Sequence, residues 1–125
     1  MANIIPTAFK SELLSGTHNF ANGGNSFKLA LYTSNPYTAS STTYSTTNEV
    51  SSTGTSYSAG GQALGSQAVA TTSTTAHVDF ADETFSSVTL TAAFAAIYND
   101  TNSDKLCLVL DFGGNKTATN GDFVV

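Results

Sequence analysis

The chain has 125 residues and a mass of 12.9 kDa, which predicts one domain and leaves no room for two. Charged residues make up only 10% of the chain, so its 16 Ser and 20 Thr must supply much of the polar surface. Four lysines, no arginine and nine acidic residues give a net charge of −5, which disfavours nucleic acid as a partner. A hydrophobic content of 40% disfavours intrinsic disorder.

The N-terminal segment lacks the basic and long apolar regions of a secretory signal. The most apolar run, residues 90–98, is about half as long as a membrane-spanning helix requires. Cys107 is the single cysteine, so the chain cannot form an internal disulfide. We therefore expect a soluble protein that is made in a cytoplasm and has no membrane partner.

One segment near the N-terminus has a helical period. Ile5, Phe9 and Leu13 recur at every fourth position, Thr7 is a candidate N-cap, and Gly16 is a candidate C-terminal glycine. The pattern predicts one short helix.

The segment 27–33 (FKLALYT) alternates as a strand does. Its predicted faces carry different sets of side chains. One face has Phe27, Leu29 and Leu31, and the other has Lys28, Ala30 and Tyr32.

Residues 34–65 are rich in Ser, Thr, Asn and Gly, and are too many for an ordinary connection. Tyr37, Tyr44, Val50 and Tyr57 are spaced like anchors that would hold a long loop against a sheet. Because long loops often carry binding surfaces, we expect the 34–65 loop to be an interaction surface with these four residues as contacts.

The second half of the chain contains more strand signals. Residues 67–71 and 76–80 predict a hairpin, with Ala76, Val78 and Phe80 facing inward. Residues 87–98 begin as an alternating strand and then become apolar on both faces, which is typical of a central strand or a subunit contact.

A further hairpin is predicted between residues 87–98 and 105–112, joined by the polar turn 99–103. Gly113, Gly114 and Asn115 predict one more turn, as do Asn120 and Gly121. The expected inward face of 105–112 consists of Leu106, Leu108, Leu110 and Phe112.

Phe123 begins a terminal strand with an unpaired edge, so we expect Phe123 and Val125 to contact a neighbouring subunit. Short strands separated by turns predict a mainly β fold, an antiparallel β-sandwich or jelly-roll-like domain over 1–125 with one short N-terminal helix. The predicted core is Leu29, Leu31, Val78, Phe80, Leu108 and Leu110.

No catalytic motif is apparent. His18 and His77 lie in no nucleophile or metal pattern, and Cys107 lies in mid-strand without a catalytic signature. Two clusters of oxygen-bearing side chains have some features of a site and are better explained as turns. They are Asp100, Asn102 and Asp104, which imitate the start of a calcium loop, and Asp79, Asp82 and Glu83.

Gly113 and Gly114 before Lys116 lack the spacing of a phosphate loop. The expectation is a protein that is not an enzyme and binds no cofactor or metal.

Several segments together resemble small virion structural proteins of tailed bacteriophages, of the head decoration or tail type. The resemblance rests on the order and spacing of residues 9–20, 27–33 (FKLALYT), 46–51 (TTNEVS), 57–61 (YSAGG), 79–87, 97–99 (IYN) and 109–114 (VLDFGG). Members of that family often have Trp where this chain has Phe85, and they usually continue beyond the strand that begins at Phe123.

The resemblance implies a capsid decoration protein that binds and stabilises the assembled shell. Its implied partners are the major capsid protein or other virion subunits, and further copies of itself in a homo-oligomer. The implied location is the virion, assembled in the host cytoplasm. The alternatives are a tail or fibre component and a carbohydrate-binding β-sandwich module.

Overall fold

The computed structural model describes residues 3–125. It contains one helix, α1, and six strands, β1 to β6. Their bounds are Thr7–Leu14 for α1, Phe27–Tyr32 for β1, Gln62–Ala63 for β2, Ala68–Thr72 for β3, Thr75–Asp79 for β4, Thr84–Asn99 for β5 and Lys105–Val124 for β6. The main sheet has the antiparallel order β2-β1-β5-β6, and β3 and β4 form a separate two-stranded ribbon. The predicted mainly β, antiparallel fold with one short N-terminal helix is confirmed.

The main sheet is buried on both faces where β1 lies beside β5. Phe27 pairs with Asn99 and Tyr32 with Phe94, so β1 runs along the apolar half of β5. The two faces of β1 carry the predicted sets, and the predicted burial of β5 on two sides is confirmed. On one face of β1 the buried side chains are Phe27, Leu29 and Leu31. On the opposite face, called here the tyrosine face, they are Ala30 and Tyr32.

A β-bulge changes which side chains of β6 are buried. Ile97 pairs with Leu108 but Tyr98 pairs with Leu106, so Cys107 is an extra residue in the ladder. Leu106 therefore packs on the tyrosine face, while Cys107 and Leu108 both belong to the opposite face. The prediction that Leu106 shares a face with Leu108 was wrong, because strict alternation cannot anticipate an inserted residue. Leu108 and its neighbour on that face, Leu110, are only half-buried.

The two turns predicted near the C-terminus are also bulges. Phe94 pairs with Asp111 and Ala92 with Lys116, so β6 continues past Gly113 and Gly114, whose φ angles are 77° and 145°. Asn120 and Gly121 likewise lie within β6 at a register shift. Long-range pairing with β5 overrides these local turn signals.

The predicted hairpin is confirmed as β3 and β4, but its inward face is not. All ten residues of the two strands are exposed, and Val78 is 40% exposed. Phe80, which follows β4, is half-buried against Phe20 and Phe27. The ribbon leaves the main sheet and touches it only near its base, so Ala76 and Val78 are not core residues.

Helix α1 ends as predicted and begins differently. Thr17 N donates to Glu12 O at 2.9 Å and Gly16 N donates to Leu13 O at 3.2 Å, which closes the C-terminus around Gly16. The N-cap is Pro6 and not Thr7, whose N–H donates to Ala39 O of the 34–65 loop.

Candidate interaction surface

The 34–65 loop is held against the sheet by aromatic side chains. Tyr37, Val50 and Tyr57 are 4%, 5% and 2% exposed. Tyr44 is half-buried and stacks on Tyr98 of β5 with a centroid distance of 4.6 Å. The predicted anchoring of the loop is therefore confirmed, because hydroxyl-rich sequence between the anchors lies at the surface while the anchors lie inside.

Glu49 joins these tyrosines through its carboxylate. The hydroxyls of Tyr44 and Tyr57 donate to Oε2 and Oε1 at 2.6 and 2.7 Å, and Gly60 N donates to Oε1 at 2.7 Å. The hydroxyl of Tyr57 also accepts from Leu31 N of β1 at 3.0 Å. Glu49 and its three donors, called here the Glu49 cluster, thus tie three points of the loop to the sheet.

A second pair of tyrosines holds the start of the loop. The hydroxyls of Tyr32 and Tyr37 lie 2.6 Å apart, Tyr32 donates to Ser45 O at 2.8 Å, and Ser45 N donates to Tyr37 at 2.9 Å.

Burial raises the pKa of every tyrosine in the chain, because the ionised phenolate would lose its hydration. The tyrosines serve as neutral hydrogen-bonding groups.

The loop also passes very close to β1 at Gly61. A Cβ there would lie 1.8 Å from Leu29 O, and the residue has a φ of 77°. Only glycine fits this approach, which lets Leu64 N donate to Phe27 O at 2.8 Å and adds β2 to the sheet edge.

Most of the residues that the sequence predicts to contact a partner are buried within the fold. Tyr37, Val50 and Tyr57 face inward and their side chains are not available at the surface, and Phe123 is 7% exposed. Tyr44 and Val125 are half-buried. Phe123 pairs with Phe85 as part of β6, so the strand expected to begin there is the end of a long strand already paired on one side.

A polar network lies between α1 and the β5–β6 turn. His18 Nε2 lies 3.0 Å from Glu12 Oε1, and Lys105 Nζ lies 3.1 Å from Glu12 Oε2. Asn99 Nδ2 donates to His18 Nδ1 at 2.9 Å, so the ring proton lies on Nε2 and points to Glu12. Burial opposes ionisation of Glu12, but the hydrogen bonds from His18 and Lys105 and the positive charge of Lys105 prevail and lower the pKa of Glu12.

Cys107 lies beside this network without being activated by it. Its Sγ is 3.9 Å from His18 Nδ1, an atom whose lone pair already accepts from Asn99. Burial, with the nearby negative charge of Glu12, raises the pKa of the Cys107 thiol to about 12. A Cys, a His and an acid thus meet, but the thiol is 2% exposed and neutral, so the group ties α1 to the sheet.

The two acidic segments, residues 100–104 and 79–83, have different surroundings. In the 100–104 turn, Asn102 Nδ2 donates to Thr17 O and Asn25 Oδ1, and Asp100 lies 3.9 Å from Lys28 Nζ. Asp79 ends β4 and Asp82 lies in the connection to β5. Within residues 3–125, no three His, Cys, Asp or Glu side chains converge as metal ligands. No helix in that range is long and apolar enough to cross a membrane.

An apolar groove is open to solvent on the face of the sheet opposite the tyrosine face. It consists of two cavities of about 200 and about 360 Å³ that share Val78, Phe80, Ile97 and Leu108. The smaller cavity extends under α1 to Ile5 and has no polar lining surface. Val78 of β4 contributes to the lining from the ribbon, and Ile97 of β5, which is buried, and Leu108 and Leu110 of β6, which are half-buried, contribute from the main sheet.

The groove has an acidic end. Asp79 and Asp82 line the larger cavity and not the smaller one. None of the lysines described in residues 3–125 lines either cavity. Two of the four lysines already have acidic partners, Lys28 with Asp100 and Lys105 with Glu12.

The sequence indicated an interaction surface in another place. Alternation predicts Leu108 in the core, and a run that is apolar on both faces predicts burial of Ile97. Nothing in either pattern shows that the layer above these two residues is incomplete. The role of Glu49 had a usable signal, since it is the one charged residue between 34 and 65 and has tyrosines on both sides.

Comparisons of the chain with family models, with curated proteins and with solved structures find no match.

Proposed function

We propose that the chain is a non-catalytic structural protein of a bacteriophage virion, namely a decoration protein that binds the assembled capsid shell and stabilises it. The sequence resemblance suggests this role, and the observation that carries it is the open apolar groove on a sheet whose other face packs against tyrosines of the 34–65 loop. Apolar surface left in water costs about 25 cal/mol per Å² relative to burial, so a neighbouring subunit would gain by covering it.

Stabilisation follows from preferential binding. A protein that binds the assembled shell, and not the separate subunits, shifts the equilibrium towards the shell. The surface is rich in hydroxyl groups, and charged residues are only 10% of the chain, so many copies can lie side by side with less charge repulsion than an ordinary charged surface would give. We place the protein in the virion, after assembly in the host cytoplasm.

The exposed apolar side chains favour this role over a carbohydrate-binding module. In residues 3–125 the exposed large apolar residues are all aliphatic, with Leu14 at 92%, Val124 at 57% and Val69 at 56%. Sugar sites commonly place aromatic rings at the surface. The aromatic rings of this chain are buried or half-buried within the fold.

Density-gradient sedimentation tests the proposal. The purified chain is mixed separately with empty shells and with isolated tails, and bound copies are counted at increasing concentration. We expect saturable binding to shells and a higher denaturant concentration for their disassembly. Binding to tails alone would assign the protein to the tail. Binding to neither particle would refute a virion role.

A further inference from the structure

We propose that the apolar groove binds a peptide segment of a virion partner that presents apolar side chains followed by a basic residue; this inference rests on the proposed function. The shape of the site carries the first step. Val78 of β4 and Phe80 line both cavities together with Ile97 and Leu108 of the main sheet, so an extended segment in the groove would contact β4 and the sheet at once. The larger cavity, about 360 Å³, is within the range of volumes that bind small ligands and side-chain groups.

Charge selects the occupant. Asp79 and Asp82 stand at one end of the groove, where a Lys or Arg of the bound segment would face them. A carboxylate at that end would meet two negative charges, which disfavours acidic peptides and fatty acids. The apolar remainder of the groove gives such a ligand no compensating cation.

The same argument disfavours a second copy of this chain in the groove. A copy carries a net charge of −5, and two of its four lysines are paired with acids in its own fold. Among the lysines of residues 3–125, Lys10 on α1 and Lys116 beside a bulge of β6 are the two that remain. The complementary partner is therefore a different protein with a basic, apolar segment.

Fluorescently labelled peptides test the inference without any particle. One peptide has a run of Val followed by Lys, a second has the same run of Val followed by Glu, and a third has a run of Ser followed by Lys. We expect the Val and Lys peptide to bind at least about tenfold more tightly than either of the others, because it alone satisfies both the groove and its acidic end.

Matched variants locate the binding. Val78→Asp should weaken binding of the Val and Lys peptide at least about tenfold, whereas Val69→Asp, its exposed cross-strand partner outside the cavities, should change it less than about twofold. Replacing Asp79 and Asp82 together by Asn should reduce the preference for Lys over Glu to below about threefold. The same exchange at Asp100 and Asp104 should leave that preference unchanged.

Circular dichroism and the thermal midpoint show whether each variant is folded. If Val78→Asp does not fold, the replacement of Asp79 and Asp82 by Asn still tests the inference. The inference would be overturned if the Val and Lys peptide does not bind, or if it binds no more tightly than the Val and Glu peptide. Equal weakening of binding by Val78→Asp and Val69→Asp would also overturn it. Shell binding by the unmodified chain is measured separately. Shell binding without peptide binding would refute the groove and keep the proposed function. Peptide binding without shell binding would refute the proposed function.

Discussion

Removing the carboxylate of Glu49 should destabilise the whole fold, although the residue lies in a loop. Glu49→Ala deletes the acceptor of three hydrogen bonds, from Tyr44, Tyr57 and Gly60 N. Hydrogen bonds to a charged group each contribute about 1.5–3 kcal/mol. Tyr44 is half-buried, so water can replace part of its bond, but the hydroxyl of Tyr57, which is 2% exposed, would keep an unpaired donor.

We therefore expect Glu49→Ala to lower the free energy of unfolding by about 3–5 kcal/mol, a large part of the stability of a small domain. Glu49→Gln keeps one acceptor oxygen for Tyr57 and Gly60, and should cost about 1–2 kcal/mol. Asp82→Ala removes an exposed acid and should change stability by less than about 0.5 kcal/mol.

Urea unfolding followed by circular dichroism measures these differences, with the two-state assumption checked by a second probe. A cost below about 1 kcal/mol for Glu49→Ala would show that the cluster does not hold the loop. A cost for Asp82→Ala as large as that for Glu49→Ala would show that the loss reflects net charge and not the cluster.

Three further predictions concern the core and the ionisable groups. Leu106→Ala, at a fully buried position, should cost about 2–5 kcal/mol in urea unfolding, and Leu108→Ala less than about 2; the reverse order would contradict the bulge at Cys107. Because burial raises every tyrosine pKa, stability should fall as the pH rises above the ordinary value of 10.0, and phenolate absorbance should appear together with unfolding; tyrosines that ionise in the folded protein at that pH would contradict this. Because the pKa of Glu12 is lower in the folded protein, ionised Glu12 stabilises the fold at pH values above its ordinary pKa of 4.5, and this stabilisation is lost as the pH falls through the folded-state pKa. Glu12→Gln should therefore make the fall in stability at acid pH less steep. An unchanged fall would contradict the contacts of Glu12 with His18 and Lys105.

Local sequence predicted the elements well where the strands are buried in the main sheet. The alternation of residues 27–33 and the apolar run after Leu90 placed β1 and the central part of β5 correctly, because packing on a sheet follows the period of two. The loop anchors were also predictable, because a hydroxyl-rich segment has no core of its own and its isolated tyrosines can be buried only by packing against the sheet.

The errors arose where distant pairing outweighs local preference. Gly113, Gly114 and Asn120 have the composition of turns, yet β5 supplies a partner strand long enough to carry β6 through them with bulges. The extra residue at Cys107 likewise depends on register with β5 and leaves no mark in the order of apolar residues. The groove could not be predicted, because whether a half-buried face is covered depends on where the β3–β4 ribbon lies.

Cryo-electron microscopy of shells saturated with the protein tests the central claim most directly. The account predicts one ordered copy at each equivalent position, with the face bearing Val78 and Leu108 against a segment of the neighbouring capsid subunit. Shells that carry no additional density, or bound copies whose groove faces solvent, would contradict it.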